Sequence, residues 1–130
     1  MPGDCYASAG RHLMDAWIAD REQGMTLVHG RPTLTVEPFA EYGHAWIEFL
    51  VPMEKLGELT GKKCELVMVY DTESEGVFPR ELYYRVGQID PEKCFRYDID
   101  QMRHWVLSTG HWGPWEGPEA CGPVDDRNKA

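Results

Sequence analysis

Two stretches, residues 44–51 and 64–71, carry the strongest β signal in the chain and limit what it can fold into. In the first, Ala45, Ile47, Phe49 and Val51 alternate with His44, Trp46, Glu48 and Leu50, so the two sets fall on opposite faces of a strand. The second is rich in β-branched and aromatic residues, and two strands joined by a linker such as 52–63 are expected to pair antiparallel. A register with Ala45 facing Tyr70, Ile47 facing Met68 and Phe49 facing Leu66 sets His44 level with Asp71, both on one face. A lone strand pair is barely stable in water, so this pair needs further strands or a covering layer.

The N-terminal segment supplies that layer. From residue 5 to about residue 19, Tyr6, Ala9, Leu13, Ala16 and Trp17 recur at helical spacing, and Asp4 stands where an N-cap belongs. Residues 25–29 and 33–36 read as extended, separated by Gly30 and Pro32, and 53–59 as a short helical turn. Pro79 opens a second short helix ending near Gly87, and 94–97 read as a strand. Asp98 with Gln101 forms a capping box for a last helix to about Thr109, closed by Gly110. The expectation is an α+β fold, with the N-terminal helix packed on a small antiparallel sheet beside further short helices. One domain spans 1–116, followed by a polar tail from 117 to 130, which suits a chain of 130 residues.

Charge narrows the partners. Thirteen basic against twenty-two acidic side chains give a net charge of −9, which repels phosphate backbones and anionic lipid, so neither nucleic acid nor membrane is expected as a partner. No apolar run has the length of a membrane helix and no leader pattern opens the chain, so a cytoplasmic location is expected. Cys5, Cys64, Cys94 and Cys121 show no close pairing and are read as reduced thiols. No metal site and no cofactor are expected. A zinc site from Cys5, His29, His44 and His111 lacks paired spacing, and the acidic run Asp71, Glu73, Glu75 lacks the glycine and terminal glutamate of a calcium loop.

Cys5 falls in the first turn of its helix, where the positive end of the dipole and unpaired amides favour thiolate over thiol. His44, beside it, would hold that thiolate as an ion pair and pass a proton to a leaving group; Asp71 would fix the imidazole tautomer and orientation. Each residue alone has a structural explanation: Cys5 as a small core side chain, His44 as a strand-end residue, Asp71 as a turn cap.

The order of these elements resembles the papain-like cysteine peptidase superfamily, in particular small bacterial and phage-associated members. Cys5-Tyr6 matches its helix start, and Gly43-His44-Ala45-Trp46 its strand start. The resemblance implies a cysteine-dependent hydrolase, a peptidase, amidase, deamidase or acyl transferase, working through an acyl-enzyme on Cys5 against a peptide or amide-bearing substrate such as a host protein. It covers about residues 4–71. Only four residues precede Cys5 and none is glutamine, so the Cys5 amide would be one oxyanion donor, with His29, Tyr42 or Gln88 for the other.

Tyr6, His29, Tyr42, Trp46, Trp112 and Trp115 are the candidate substrate-binding residues. The loop of His111, Trp112 and Trp115 suits either core packing or a pocket wall, with packing favoured. His29 is better read as a strand-end residue bonded to a loop than as a second polar group in the cleft, and His104 as a partly buried packing residue. The alternative from a different class is a catalytically silent module on the same scaffold, binding a partner as a phage accessory protein would. A cell-wall hydrolase is a third reading.

Overall fold

The computed structural model describes residues 5–34, 36–62 and 65–115; Asp4, Cys64, Cys121 and the 117–130 tail lie outside the described residues. Helix α1 (Cys5–Ile18) is followed by strands β1 (Thr26–Gly30) and β2 (His44–Pro52), helix α2 (Glu54–Thr60), and strands β3 (Glu65–Asp71) and β4 (Gly76–Pro79). Helix α3 (Arg80–Gly87), a 3-10 turn at Pro91–Lys93, β5 (Phe95–Tyr97) and α4 (Ile99–Thr109) complete it. The fold is α+β, with the strands in one antiparallel sheet of order β4-β3-β2-β1-β5.

Helices cover both faces. On one, Tyr6, Ala9 and Leu13 of α1 and Met102 of α4 meet Leu27, Ala45, Ile47, Phe95 and Tyr97. On the other, Val28, Trp46, Val69, Ile89 and Cys94 are covered by Tyr83 and Tyr84 of α3. Residues 27–30 of β1 are therefore all buried, as expected of a strand enclosed on both sides. Gly30 is obligatory here because a Cβ would enter the Trp46 ring. The second face also buries a charge: Glu48 accepts hydrogen bonds from Trp46 Nε1 at 3.1 Å, from Arg96 Nη1 at 2.6 Å and from the Tyr84 hydroxyl, with Arg80 3.5 Å away. Such a carboxylate is tolerable only because its lone pairs are filled, and it ties α3 and β5 to the centre of the sheet.

The sequence register needs one correction. Ile47 faces Tyr70, Phe49 faces Met68 and Val51 faces Leu66, a shift of two residues from the expected pairing. The linker holds helix α2, ended by left-handed Gly61, and not a tight hairpin, so loop length did not pin the register. A two-residue shift preserves the face, and His44 and Asp71 become diagonal neighbours where the expectation had them directly opposite. Strand β4 was not expected, residues 33–36 contribute an isolated bridge from Thr33 to Glu41, and Gln88, at φ 52°, is the left-handed cap of α3. The capping box of Asp98 and Gln101 is formed, and Gly110 closes α4 with φ 77°.

His29 is not bonded to a loop: it points into the α1/α4 core between Tyr6, Tyr97 and Trp115, with ring centroids 4.8 to 5.0 Å apart, and neither ring nitrogen has a hydrogen-bond partner among the described residues. Burial lowers its pKa to about 3 from 6.5. Below pH 6.5 the unfolded chain takes up a proton that the folded chain refuses, so stability should fall as pH drops from 6.5 towards 3, by up to about 1.4 kcal/mol per pH unit. Urea unfolding of wild type and His29→Phe across this range checks it: the variant should show a flatter pH dependence, and equal slopes would exclude His29 as the cause.

Candidate functional site

The site lies at the end of the sheet where β2 begins and β3 ends. Cys5 enters from the first turn of α1, whose buried residues Cys5, Tyr6, Ala9, Gly10 and Leu13 seat the helix against the sheet. His44 is the first residue of β2, and its Nε2 donates to Asp71 Oδ2 at 3.1 Å. The Tyr83 hydroxyl, reaching from α3 on the opposite face of the sheet, donates to the same oxygen at 2.8 Å. The other oxygen, Oδ1, accepts from the Glu73 amide at 3.0 Å and shapes the turn between β3 and β4. Asp71 thus caps its turn and orients His44 at the same time.

Two further acidic groups stand around His44. Its side chain is hydrogen-bonded to Cys5, and Nδ1 is 3.4 Å from Glu73 Oε2. One ligating atom from each of Cys5, His44 and Glu73 lies within 4.8 Å of the others. Burial alone would lower the His44 pKa, but its hydrogen bonds with Asp71 and Cys5 and their charges raise it to about 9. Asp71 responds in the opposite sense: burial would raise its pKa, but hydrogen bonds from His44 and Tyr83 bring it down to about 2. The Cys5 residue is 1% exposed. Cys94, the other free cysteine among the described residues, is pushed up to about 11 chiefly by burial and is chemically quiet.

A pocket of about 380 Å³ opens beside the imidazole, lined by Leu34, Tyr42, Gly43, His44 and Glu73. Tyr42 stands against His44 with ring centroids 5.9 Å apart, and its phenol pKa is raised by burial and by the charges of Asp71, Glu73 and Cys5. A larger cleft of about 550 Å³ lies over α3 between Arg80, Glu81, Tyr84, Arg85, Pro91 and Arg96, and shares no lining residue with this one. Two of its arginines are engaged by buried Glu48.

The structure therefore brings Cys5, His44 and Asp71 together and sets Tyr42 beside them. Of the other proposed substrate-binding residues, Tyr6, His29 and Trp46 are buried and Trp112 and Trp115 half-buried, all in packing contacts. Tyr6 and Tyr97 meet His29 edge-on, and Trp115 stacks on His29 and lies edge-on to Tyr97 in the α1/α4 core. Trp46 lies edge-on to Tyr83 and Tyr84. Trp112 covers Gly10, where a Cβ would come within 2.6 Å of its ring, and stacks under Arg11. Glu73 and Tyr83 were missed. The turn-forming run after Asp71 was the available signal for Glu73; nothing local in α3 marked Tyr83. No family model matches the chain, and neither a curated protein nor a solved structure matches it significantly.

His44 should stay protonated until about pH 9, as read from its ring proton shifts by NMR. Because the folded pKa lies above the unfolded 6.5, the pair's stabilisation is complete below pH 6.5 and is lost as pH rises through 9. Asp71→Asn should return the His44 midpoint towards or below 6.5, since it removes the charge and leaves burial. An unchanged midpoint in that variant would overturn this assignment.

Proposed function

We propose that the protein is a cysteine-dependent hydrolase acting on a peptide or other amide through a Cys5–His44–Asp71 triad built on a papain-like core. The observation that carries the reading is the imidazole of His44 held between Cys5 and Asp71, with its charged form favoured. An imidazolium beside a thiol stabilises the thiolate, and the first turn of α1 adds its dipole and amides. The order of cysteine helix, histidine at a strand start and acid at the next strand's end supports the papain-like comparison.

In this mechanism Cys5 Sγ attacks the carbonyl carbon, forming a C–S bond as the carbonyl π electrons move to oxygen. The Cys5 amide and the Tyr42 hydroxyl are the oxyanion donors the arrangement offers. The tetrahedral intermediate collapses, the C–N bond breaks, and the amine leaves with the Nδ1 proton of His44. Water, deprotonated by His44, then attacks the thioester, releasing the acid and restoring thiolate and imidazolium. Asp71 and Tyr83 keep Nε2 engaged, so that only Nδ1 exchanges protons with the reactants.

A second reading, a bound zinc-like cation, has one observation in its favour: Cys5, His44 and Glu73 offer a compact sulfur, nitrogen and oxygen set, with His44 braced from behind by a carboxylate. A metal needs neutral imidazole, and the environment that raises His44 to about 9 opposes that, which favours the ion pair.

Ultraviolet thiolate absorbance, compared with that of Cys5→Ser, tests the proposal without requiring a substrate. At neutral pH and in the presence of a chelator, wild type should show a Cys5 thiolate signal that His44→Ala abolishes, while Asp71→Asn diminishes it. If Cys5 contributes no such signal, or if His44→Ala leaves it intact, the hydrolase reading gives way to a non-catalytic binding module.

A further inference from the structure

The pocket beside His44 has a definite chemical character. Apolar Leu34 and aromatic Tyr42 line it with Gly43, His44 and Glu73, whose side chain is 37% exposed. Glu73 is the acidic lining residue, and it lies within 4.8 Å of the Cys5 and His44 ligating atoms. An apolar wall, an aromatic face and a partly desolvated carboxylate together recognise an alkylammonium group: the methylene stem covers the apolar surface, and the cation meets ring and carboxylate.

We propose that Glu73 and Tyr42 form a binding site for a primary alkylammonium, so that the enzyme prefers substrates carrying a lysine-like positive charge close to the reacting carbonyl. As substrate selection, this rests on the Cys5–His44 reading; as an ammonium site it does not. The position of Glu73 explains why the charge must be close. Glu73 Oε2 stands 3.4 Å from Nδ1 of His44. An ammonium engaged by Glu73 leaves the Nδ1 proton to the leaving group. The molecule's charge of −9 draws cations from a distance, and Glu73 turns that attraction into a local contact.

Two measurements test this. In the first, n-butylammonium is titrated into wild-type protein and amide shifts are followed by NMR. Saturable shifts are expected at Leu34, Tyr42, Gly43 and His44, weakened about tenfold or more in affinity by Glu73→Gln and unaltered by Glu58→Gln, which removes the same charge on α2. In the second, Cys5 is modified by methanethiosulfonates bearing an ammonium, a neutral methyl or a sulfonate group. Each reaction forms a mixed disulfide at Sγ and releases methanesulfinate. Wild type should favour the ammonium reagent over the neutral one by about tenfold, and Glu73→Gln should erase most of that ratio. Absence of butylammonium shifts at the pocket, or equal effects of Glu73→Gln and Glu58→Gln, would overturn the proposal. A neutral-reagent rate indifferent to His44→Ala would instead count against the triad, which separates the two failures.

Discussion

The carboxylate of Asp71 holds three parts of the molecule in register. Oδ1 accepts turn amides and so fixes how β3 reverses into β4, which in turn places Glu73. Oδ2 collects the Tyr83 hydroxyl from α3 and Nε2 of His44 from β2. A carboxylate can serve all these donors because it offers about four lone-pair directions, and charge-assisted bonds to it are roughly twice as strong as neutral ones. An amide in its place would keep one acceptor oxygen and bring an NH2 group towards other donors. The geometry of the site and of the hairpin therefore stand or fall together, and a residue that looks like an ordinary turn cap also sets the charge of the histidine.

The sheet's two covered faces explain why these side chains meet at this end of the molecule. α1 and α4 bury one face and α3 the other, and their side chains converge where β2 starts. Cys5 arrives from the first layer and Tyr83 from the second, with His44 and Asp71 between them. Glu48 contributes at a distance, because its bonds to Arg80 and Tyr84 hold α3 on the sheet and thereby keep Tyr83 over Asp71. Polar groups are thus used twice on the α3 face, once to anchor a helix and once to orient an imidazole, and the α1 face is left to apolar packing and the aromatic contacts of His29, whose nitrogens have no hydrogen bond among the described residues.

What the sequence made legible follows from how local each signal is. The periodicity of α1, the capping box and Gly110 of α4, and the alternation of β2 depend on neighbours within a few residues, and all appear where periodicity and capping place them. The side on which His44 and Asp71 meet was also readable, because the period of two survives a shift of two. The shift itself was not, because α2 sits inside the linker and removes the constraint a short loop would impose. Strand β4 is short and begins at a glycine, too weak a pattern to stand alone. The roles of Trp46, Trp112 and Trp115 depend on which helix covers which face, and no spacing in the sequence encodes that. Glu73 was visible only as one acid among three, and its significance comes from the turn that aims it at His44.

The electrostatics of the site are unbalanced in a way that bears on its chemistry. His44 is a single cation facing Asp71, Glu73 and, when ionised, Cys5. Asp71 is matched by Nε2 and a hydroxyl, and Glu73 stands 3.4 Å from Nδ1. Within a partly buried site Coulomb interactions are several times stronger than in water, so the placement of these charges counts for more here than on the surface. In the proposed ammonium site a cation would offset Glu73 without disturbing the Asp71 contact, because Glu73 lines that pocket and Asp71 does not. The two carboxylates around His44 thus have separate surroundings, Asp71 turned to the Tyr83 hydroxyl and the β3–β4 turn, Glu73 to the pocket.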